Sequence, residues 1–280
     1  MKVIKFNEPA LFKNENTNIK KVFLRKFFTG NGFYSKKVTT SLTRLFNNSY
    51  TLLTDSNSSA MEIIADCIDI KPNDHILIPS YEYPTTASAF LKRGAKIDFL
   101  DFDPKNFMIC KNDLLKKISK KTKALIIMHY AGQNDDIDFY LKLKKKYNFF
   151  LIEDAAQTIG VKLRKRHLGT FGDFGTISFH ETKNIHCGLG GALIVNNKKL
   201  INKSTYIWER GTDRKNFDKK KKYSWVENGG NHYPSELQAA FLYGQINNLN
   251  KVISKRKKIF KNYYNFFAQK KFKELFYSIE

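Results

Sequence analysis

The sequence predicts an α/β fold, a three-layer arrangement around a mostly parallel sheet, and three observations carry the prediction. Short apolar runs alternate with helical patterns along most of the 280 residues. The runs are apolar throughout, as strands are when both faces of their sheet are covered. Several of them end in a polar residue, and open α/β sheets bind ligands beyond the carboxyl ends of their strands.

Taken in order, "YTLLT" (50–54) is a first apolar run, followed by the helical pattern "SSAMEIIADCIDI" (58–70). "HILIPS" (75–80), "KIDFLDFD" (96–103), "KALIIMHY" (123–130), "FFLIEDAA" (149–156), "GTISFHETK" (175–183) and "ALIVNN" (192–197) read as further strands, apolar throughout. Helical stretches lie between the earlier ones at 85–94, 111–121 and 135–148. This is βαβ alternation. A last segment, 237–269, reads as one long helix. With 42% hydrophobic residues the chain can bury a sizeable core.

The charge is +23, from 49 Lys and Arg against 26 Asp and Glu. Such an excess raises nucleic acid or an anionic membrane as a partner. The positive residues are spread over several runs, including 116–123, 142–147, 218–223 and 255–258. No recognition helix, zinc finger or aromatic–basic RNA motif accompanies them. The excess reads as a compositional bias, and no nucleic acid is expected; a charged small-molecule substrate is compatible with it. Cys67, Cys110 and Cys187 form no CxxC pair and no metal-ligand spacing. No metal is expected, and reduced thiols fit the cytoplasm. The N-terminal residues are too polar for a secretory signal, and no apolar run approaches the ~18 residues of a membrane span.

Three strand-end features suit one cofactor. Asp154 ends "FFLIED", where a buried carboxylate needs a cationic partner. Lys183 lies just past "TISF", where partial desolvation lowers an amine's pKa and makes it nucleophilic. "SNSSA" (56–60) opens a helix, and helix N-terminal amides favour a phosphate. A Schiff-base lysine, a carboxylate for a ring nitrogen and a phosphate nest are what pyridoxal 5'-phosphate (PLP) asks of a protein. Alone, each feature has a plainer reading as a loop residue, a surface lysine or an N-cap.

These residues, with "TGNGFYSKKV" (29–38), "PSYEYPTTASAFLKRGAKIDFLD" (79–101), "HYAG" (129–132), "EDAAQ" (153–157), "GTFGDFGTISFHETKN" (169–184), "RGTDRKNF" (210–217) and "SELQAAFL" (235–242), resemble the DegT/DnrJ/EryC1/StrS sugar-nucleotide aminotransferases. Within that family the likeness is to the dTDP-4-amino-4,6-dideoxygalactose transaminases. The resemblance implies the large domain of a fold type I PLP-dependent transferase over residues 1–250. Residues 251–280 would begin a C-terminal small domain that is largely missing.

The resemblance also implies roles. Lys183 matches the Schiff-base lysine that shuttles the proton, Asp154 the partner of the pyridinium nitrogen, and Tyr83 the aromatic residue stacked on the ring. Gln157 matches a contact from below, Ser58 and Ser59 the amides at the phosphate, and Ser178 a hydroxyl near it. Asn231 matches an asparagine reaching the phosphate of a neighbouring subunit, which implies a homodimer with shared active sites. Tyr83 as a core aromatic and Ser178 as a strand residue facing a helix stay open. Arg214 is a candidate contact to the sugar nucleotide, with a surface ion pair as its alternative. His129 and His180 are assigned no role.

Two departures stand out. Leu189 occupies the second place of the usual Gly-Glu-Gly-Gly, and Asn57-Ser58-Ser59 replaces the usual Gly-Thr-Ala or Cys-Thr-Ala. The implied activity is transfer of an amino group from glutamate to the C4 keto group of a dTDP-linked 6-deoxyhexose. The product, dTDP-4-amino-4,6-dideoxygalactose, would serve cell-surface polysaccharide of the enterobacterial common antigen type. The alternatives are a truncated, catalytically impaired remnant that still folds and binds PLP, and a basic binding protein on an α/β scaffold.

Overall fold

The alternation of apolar runs and helices builds a seven-stranded sheet in the computed structural model, which describes residues 5, 7–214 and 222–268. The strands are β1 (Tyr50–Thr54), β2 (His75–Pro79), β3 (Lys96–Leu100), β4 (Thr122–Met128), β5 (Phe150–Asp154), β8 (Phe174–Ser178) and β9 (Gly191–Val195). A small hairpin, β6 (Lys162–Leu163) with β7 (Arg166–His167), lies outside the sheet. The spatial order is β1-β9-β8-β5-β4-β2-β3. Four neighbouring pairs, from β3 to β8, are parallel, whereas β9 runs antiparallel to both β8 and β1. "ALIVNN" therefore closes a hairpin-like connection and not another crossover.

The apolar runs are buried on both faces, as their composition requires. In β4, Ala124 and Ile126 join one core with α3 (Asn57–Cys67), α4 (Pro84–Leu91) and α7 (Ile201–Trp208). Leu125 and Ile127 join another with α5 (Lys111–Lys117) and α6 (Ile137–Tyr147). Each fully buried Leu or Ile contributes roughly 1.5–3 kcal/mol by leaving water. The exception is β3, expected to be apolar throughout. It is the edge strand, so Lys96 and Phe99 face solvent and only Leu100 is fully buried.

Two helices that no strong sequence signal marked, α1 (Lys13–Arg25) and α2 (Phe33–Leu45), cover the β1–β9 end together with α8 (Glu236–Ile246). Glu236 fixes this layer. Its buried carboxylate accepts the N–H groups of Gly32, Tyr34 and Ser35 at 3.0, 2.7 and 3.0 Å, across the N-terminus of α2. A negative charge there also meets the positive end of the helix dipole.

The single long helix expected over 237–269 is instead α8 and α9 (Leu249–Phe267), separated at Asn247 and Asn248. Asparagine competes for backbone groups. Asn248 does so here, its side-chain amide donating to the Gly244 carbonyl at 2.9 Å. Of α9, Leu249 and Val252 are buried against the body, while Phe260 and Tyr263 are exposed. Of the segment assigned to a small domain, residues 269–280 lie outside the described residues.

The end of β5 is braced by Glu153. Its buried carboxylate accepts the N–H groups of Gly169, Phe171 and Gly172 at 2.8, 2.6 and 2.7 Å and pairs with His129 Nε2 at 2.9 Å. Burial alone would raise its pKa, but His129 and these N–H groups outweigh burial and hold it below the usual carboxyl range. Removing one side of such a buried pair costs about 3–5 kcal/mol. Glu153→Ala is expected to lower unfolding free energy by that amount in urea melts; a loss under about 1 kcal/mol would contradict this bracing role.

Candidate active site

A cavity of about 490 Å³ opens at the carboxyl ends of β2, β5 and β8, a volume in the range of small-molecule sites. Adjacent parallel strands bring its chemistry together. Asp154 is the last residue of β5 and pairs in register with Thr176 of β8. Lys183 follows β8 in a turn in which its N–H donates to the His180 carbonyl at 2.9 Å. Both side chains line the cavity and act on each other electrostatically.

Burial lowers the pKa of Lys183, against the opposing pull of Asp154 and Glu82. An amine in that condition is more often neutral and nucleophilic. Asp154 is fully buried, and its loss of solvent raises its pKa. Ionisation is supported from the other side by the Ala156 N–H at 2.9 Å, Asn57 Nδ2 at 3.3 Å and Thr86 Oγ1 at 3.4 Å.

The N-terminus of α3 forms the adjoining wall. Ser56 is the N-cap, its Oγ accepting the Ser59 N–H at 3.0 Å. That bond leaves the first amides, at Asn57 and Ser58, at the open end of the helix. Ser58 lines the cavity, its hydroxyl 2.7 Å from Thr85 Oγ1. Ser59 does not: its N–H is taken by the cap, so Asn57 holds the place expected for it. Gly191, at the start of β9, lets this end come close. A Cβ there would lie 2.5 Å from the Ser56 carbonyl carbon and 2.6 Å from the Asn57 nitrogen.

Tyr83 is 68% exposed and lines the cavity, which excludes the core-aromatic reading. Ser178 also lines it, with its Oγ accepting the His180 N–H at 3.3 Å. Gln157 lies on the wall, oriented by the Ala131 N–H donating to its Oε1 at 2.8 Å. Arg214 and Asn231 are not part of this chain's cavity. Arg214 lies 4.0 Å from Glu209 and stacks over Tyr223 at 4.2 Å, as in its ion-pair alternative. Asn231 is exposed and bridges to Glu209.

Sequence reasoning missed Glu82, although it sits just past β2, the same strand-end signal that marked Asp154. Its carboxyl lines the cavity, and burial followed by the charge of Asp154 pushes its pKa up to about 9. Two lining residues present buried polar atoms without a partner, Asn57 Oδ1 and Glu82 Oε2. Orphaned polar atoms on the wall of a cavity call for a polar ligand. An amine, an acceptor carboxyl and open helix amides fit the PLP expected there.

The sheet order, the helix layers and a lysine–aspartate cavity at the strand ends define the class: an α/β protein with its binding site beyond the carboxyl ends of parallel strands. The chain belongs to the DegT/DnrJ/EryC1/StrS aminotransferase family, whose model matches residues 9–276. It is 28% identical over 211 residues to GDP-perosamine synthase of Escherichia coli O157:H7, covering 75% of this chain and 58% of that protein. The chain thus spans a little over half the length of that relative. Helicobacter pylori PseC, an aminotransferase involved in the biosynthesis of pseudoaminic acid, superposes with a TM-score of 0.88 at 22% identity, covering 96% of this chain and 71% of that one. The PLP form of the putative sugar aminotransferase Spr1654 from Streptococcus pneumoniae gives a TM-score of 0.86 at 20% identity, covering 95% and 72%.

Two outcomes follow from this geometry. Gly191→Ala, by wedging a methyl group into the Ser56–Asn57 backbone, is expected to weaken PLP binding about tenfold or more in a fluorescence titration. Unchanged affinity would remove the α3 amides from the phosphate site. The second outcome concerns pH. Between the ordinary carboxyl range and about 9, Glu82 keeps a proton in the folded protein that the unfolded chain has released. Stability of the cofactor-free protein therefore falls as pH rises across that window, and Glu82→Gln should flatten the fall. Parallel melting curves for the two proteins would contradict it.

Proposed function

We propose that the chain is a PLP-dependent aminotransferase acting on a nucleotide-linked keto sugar. The observation that carries this is the meeting of Lys183, Asp154 and the open end of α3 in one cavity. When bound, PLP supplies the electron sink that lets a carbon–hydrogen bond next to nitrogen be broken.

The chain's own residues divide the remaining work. The amides of Asn57 and Ser58 would take the phosphate, with the Ser178 hydroxyl on the same wall. Asp154 would face the ring nitrogen, its ionised form supported by Ala156, Asn57 and Thr86. Tyr83 would cover one ring face and Gln157 the other. Lys183, with its proton affinity reduced by burial, would both hold the cofactor and accept and return the proton that amino transfer moves.

For the substrate, a 4-keto-6-deoxyhexose with glutamate as amino donor is the reading favoured here. The motifs point to a dTDP sugar and to dTDP-4-amino-4,6-dideoxygalactose as product. The name of the Escherichia coli relative points to a GDP sugar instead. Side-by-side assays with the two nucleotides decide between them. A homodimer, with Asn231 lent to the neighbouring site and Arg214 a candidate sugar-nucleotide contact, completes the reading. A cytoplasmic setting agrees with three free cysteines and with the fact that no helix among the described residues is long and apolar enough to cross a membrane.

Protein supplied with PLP is expected to turn yellow, and borohydride should then fix a pyridoxyl group on the peptide containing Lys183. Glutamate should bleach the colour before reduction, and Lys183→Ala should abolish both effects. A protein that remains colourless would overturn the cofactor assignment. Colour that glutamate leaves unchanged would favour the impaired remnant.

A further inference from the structure

The cavity holds an acid that the aminotransferase reading leaves without a task. Glu82 lies between β2 and Tyr83, and its Oε1 accepts the Tyr83 N–H at 2.7 Å, which restrains the carboxyl. Its Oε2 is buried and has no partner. A charged oxygen in that condition is unfavourable, so it either carries a proton or meets a ligand.

The contrast with Asp154 decides which acid keeps a shared proton. Asp154 receives three donors, from Ala156, Asn57 and Thr86. Glu82 receives one. Donors stabilise the ionised form, so Asp154 is the better carboxylate and Glu82 the better acid. The other titratable side chains on the same walls are Lys183, His180, Tyr81, Tyr83 and Tyr130. Of these, Lys183 shares the cavity with Glu82 and acts on it through its charge, with no hydrogen bond between the two.

We propose that Glu82 is a second proton-carrying residue of the site, exchanging a proton with the Lys183 amine. The inference rests on the aminotransferase reading. Glu82 and Lys183 line one cavity without a direct hydrogen bond, so one water passes the proton. In the forward transfer the Glu82 O–H bond breaks as an O–H bond forms on the water, and another O–H bond of that water breaks as an N–H bond forms at Lys183 Nζ, leaving a carboxylate and an ammonium group. The reverse transfer restores both, so no oxidant or further reactant is needed. Amino transfer obliges Lys183 to give up and recapture a proton, and a neighbouring acid lets it do so without bulk water.

Two measurements test this. In cofactor-free protein near neutral pH, an infrared difference between wild type and Glu82→Gln should contain a carboxylic-acid carbonyl band contributed by Glu82. Its absence overturns the proposal whatever the cofactor does. In PLP-loaded protein, single-turnover reaction with glutamate should slow by about a hundredfold in Glu82→Gln, with Glu82→Asp recovering part of the rate. PLP affinity should stay within about threefold. Equal rates in wild type and Glu82→Gln overturn the proposal, as does a rate loss matched by lost PLP affinity, which would make Glu82 an anchor. Failure of the aminotransferase reading is distinct, because the wild type itself would then bind no PLP or would bind it without reacting with glutamate, while the infrared band of Glu82 would still be present or absent on its own account.

Discussion

An amine and two carboxyls gathered in one cavity and partly withdrawn from water are the constraint around which the site is organised. In solution each would be charged and indifferent to the others; in the cavity, burial lowers the proton affinity of Lys183 and raises that of Asp154 and Glu82. The charge on each acts on the others, so proton positions are coupled. That coupling depends on backbone architecture. Only because β5 and β8 are parallel neighbours do a strand-end aspartate and a lysine from the next turn share one wall.

The buried acids of the fold can be ranked by the donors around them, and the ranking follows their roles. Glu153 receives three loop N–H groups and His129, and Glu236 receives three N–H groups at a helix start. Both are satisfied within the protein and tie segments together. Asp154 is braced yet still faces the cavity, and Glu82 has an oxygen left over. Incomplete satisfaction, at a strand end and in a cavity shared with an amine, is what the proposed roles of these two acids rest on.

Much of this was legible in the sequence. Runs such as "FFLIED" and "TISF" declared buried strands, and the polar residues at or just past their ends, Asp154 and Lys183, line one cavity. Where the sequence misled, a competing interaction explains it. The apolar pattern of 237–269 continues through Asn247 and Asn248, but the Asn248 side chain bonds to Gly244 and breaks the helix. "KIDFL" looks like its sister strands, and only its place at the sheet edge exposes Lys96 and Phe99. Ser59 was indistinguishable from Ser58 until the cap at Ser56 used its N–H. Glu82 was passed over because its environment arises from residues distant in sequence, Asp154 and Lys183.

The antiparallel placement of β9 beside β8 has a kinetic meaning. The parallel neighbours β5 and β8 must wait for the longer connection through the β6–β7 hairpin to close, whereas β8 and β9 are joined by the shorter segment that carries Lys183. Local contacts of this kind form early and at small entropic expense. The turn bearing Lys183 can thus acquire its register as a self-contained unit, with Asp154 arriving only when β5 docks along its flank. Lysine and aspartate would then meet through the pairing of β5 with β8 and not within the hairpin itself.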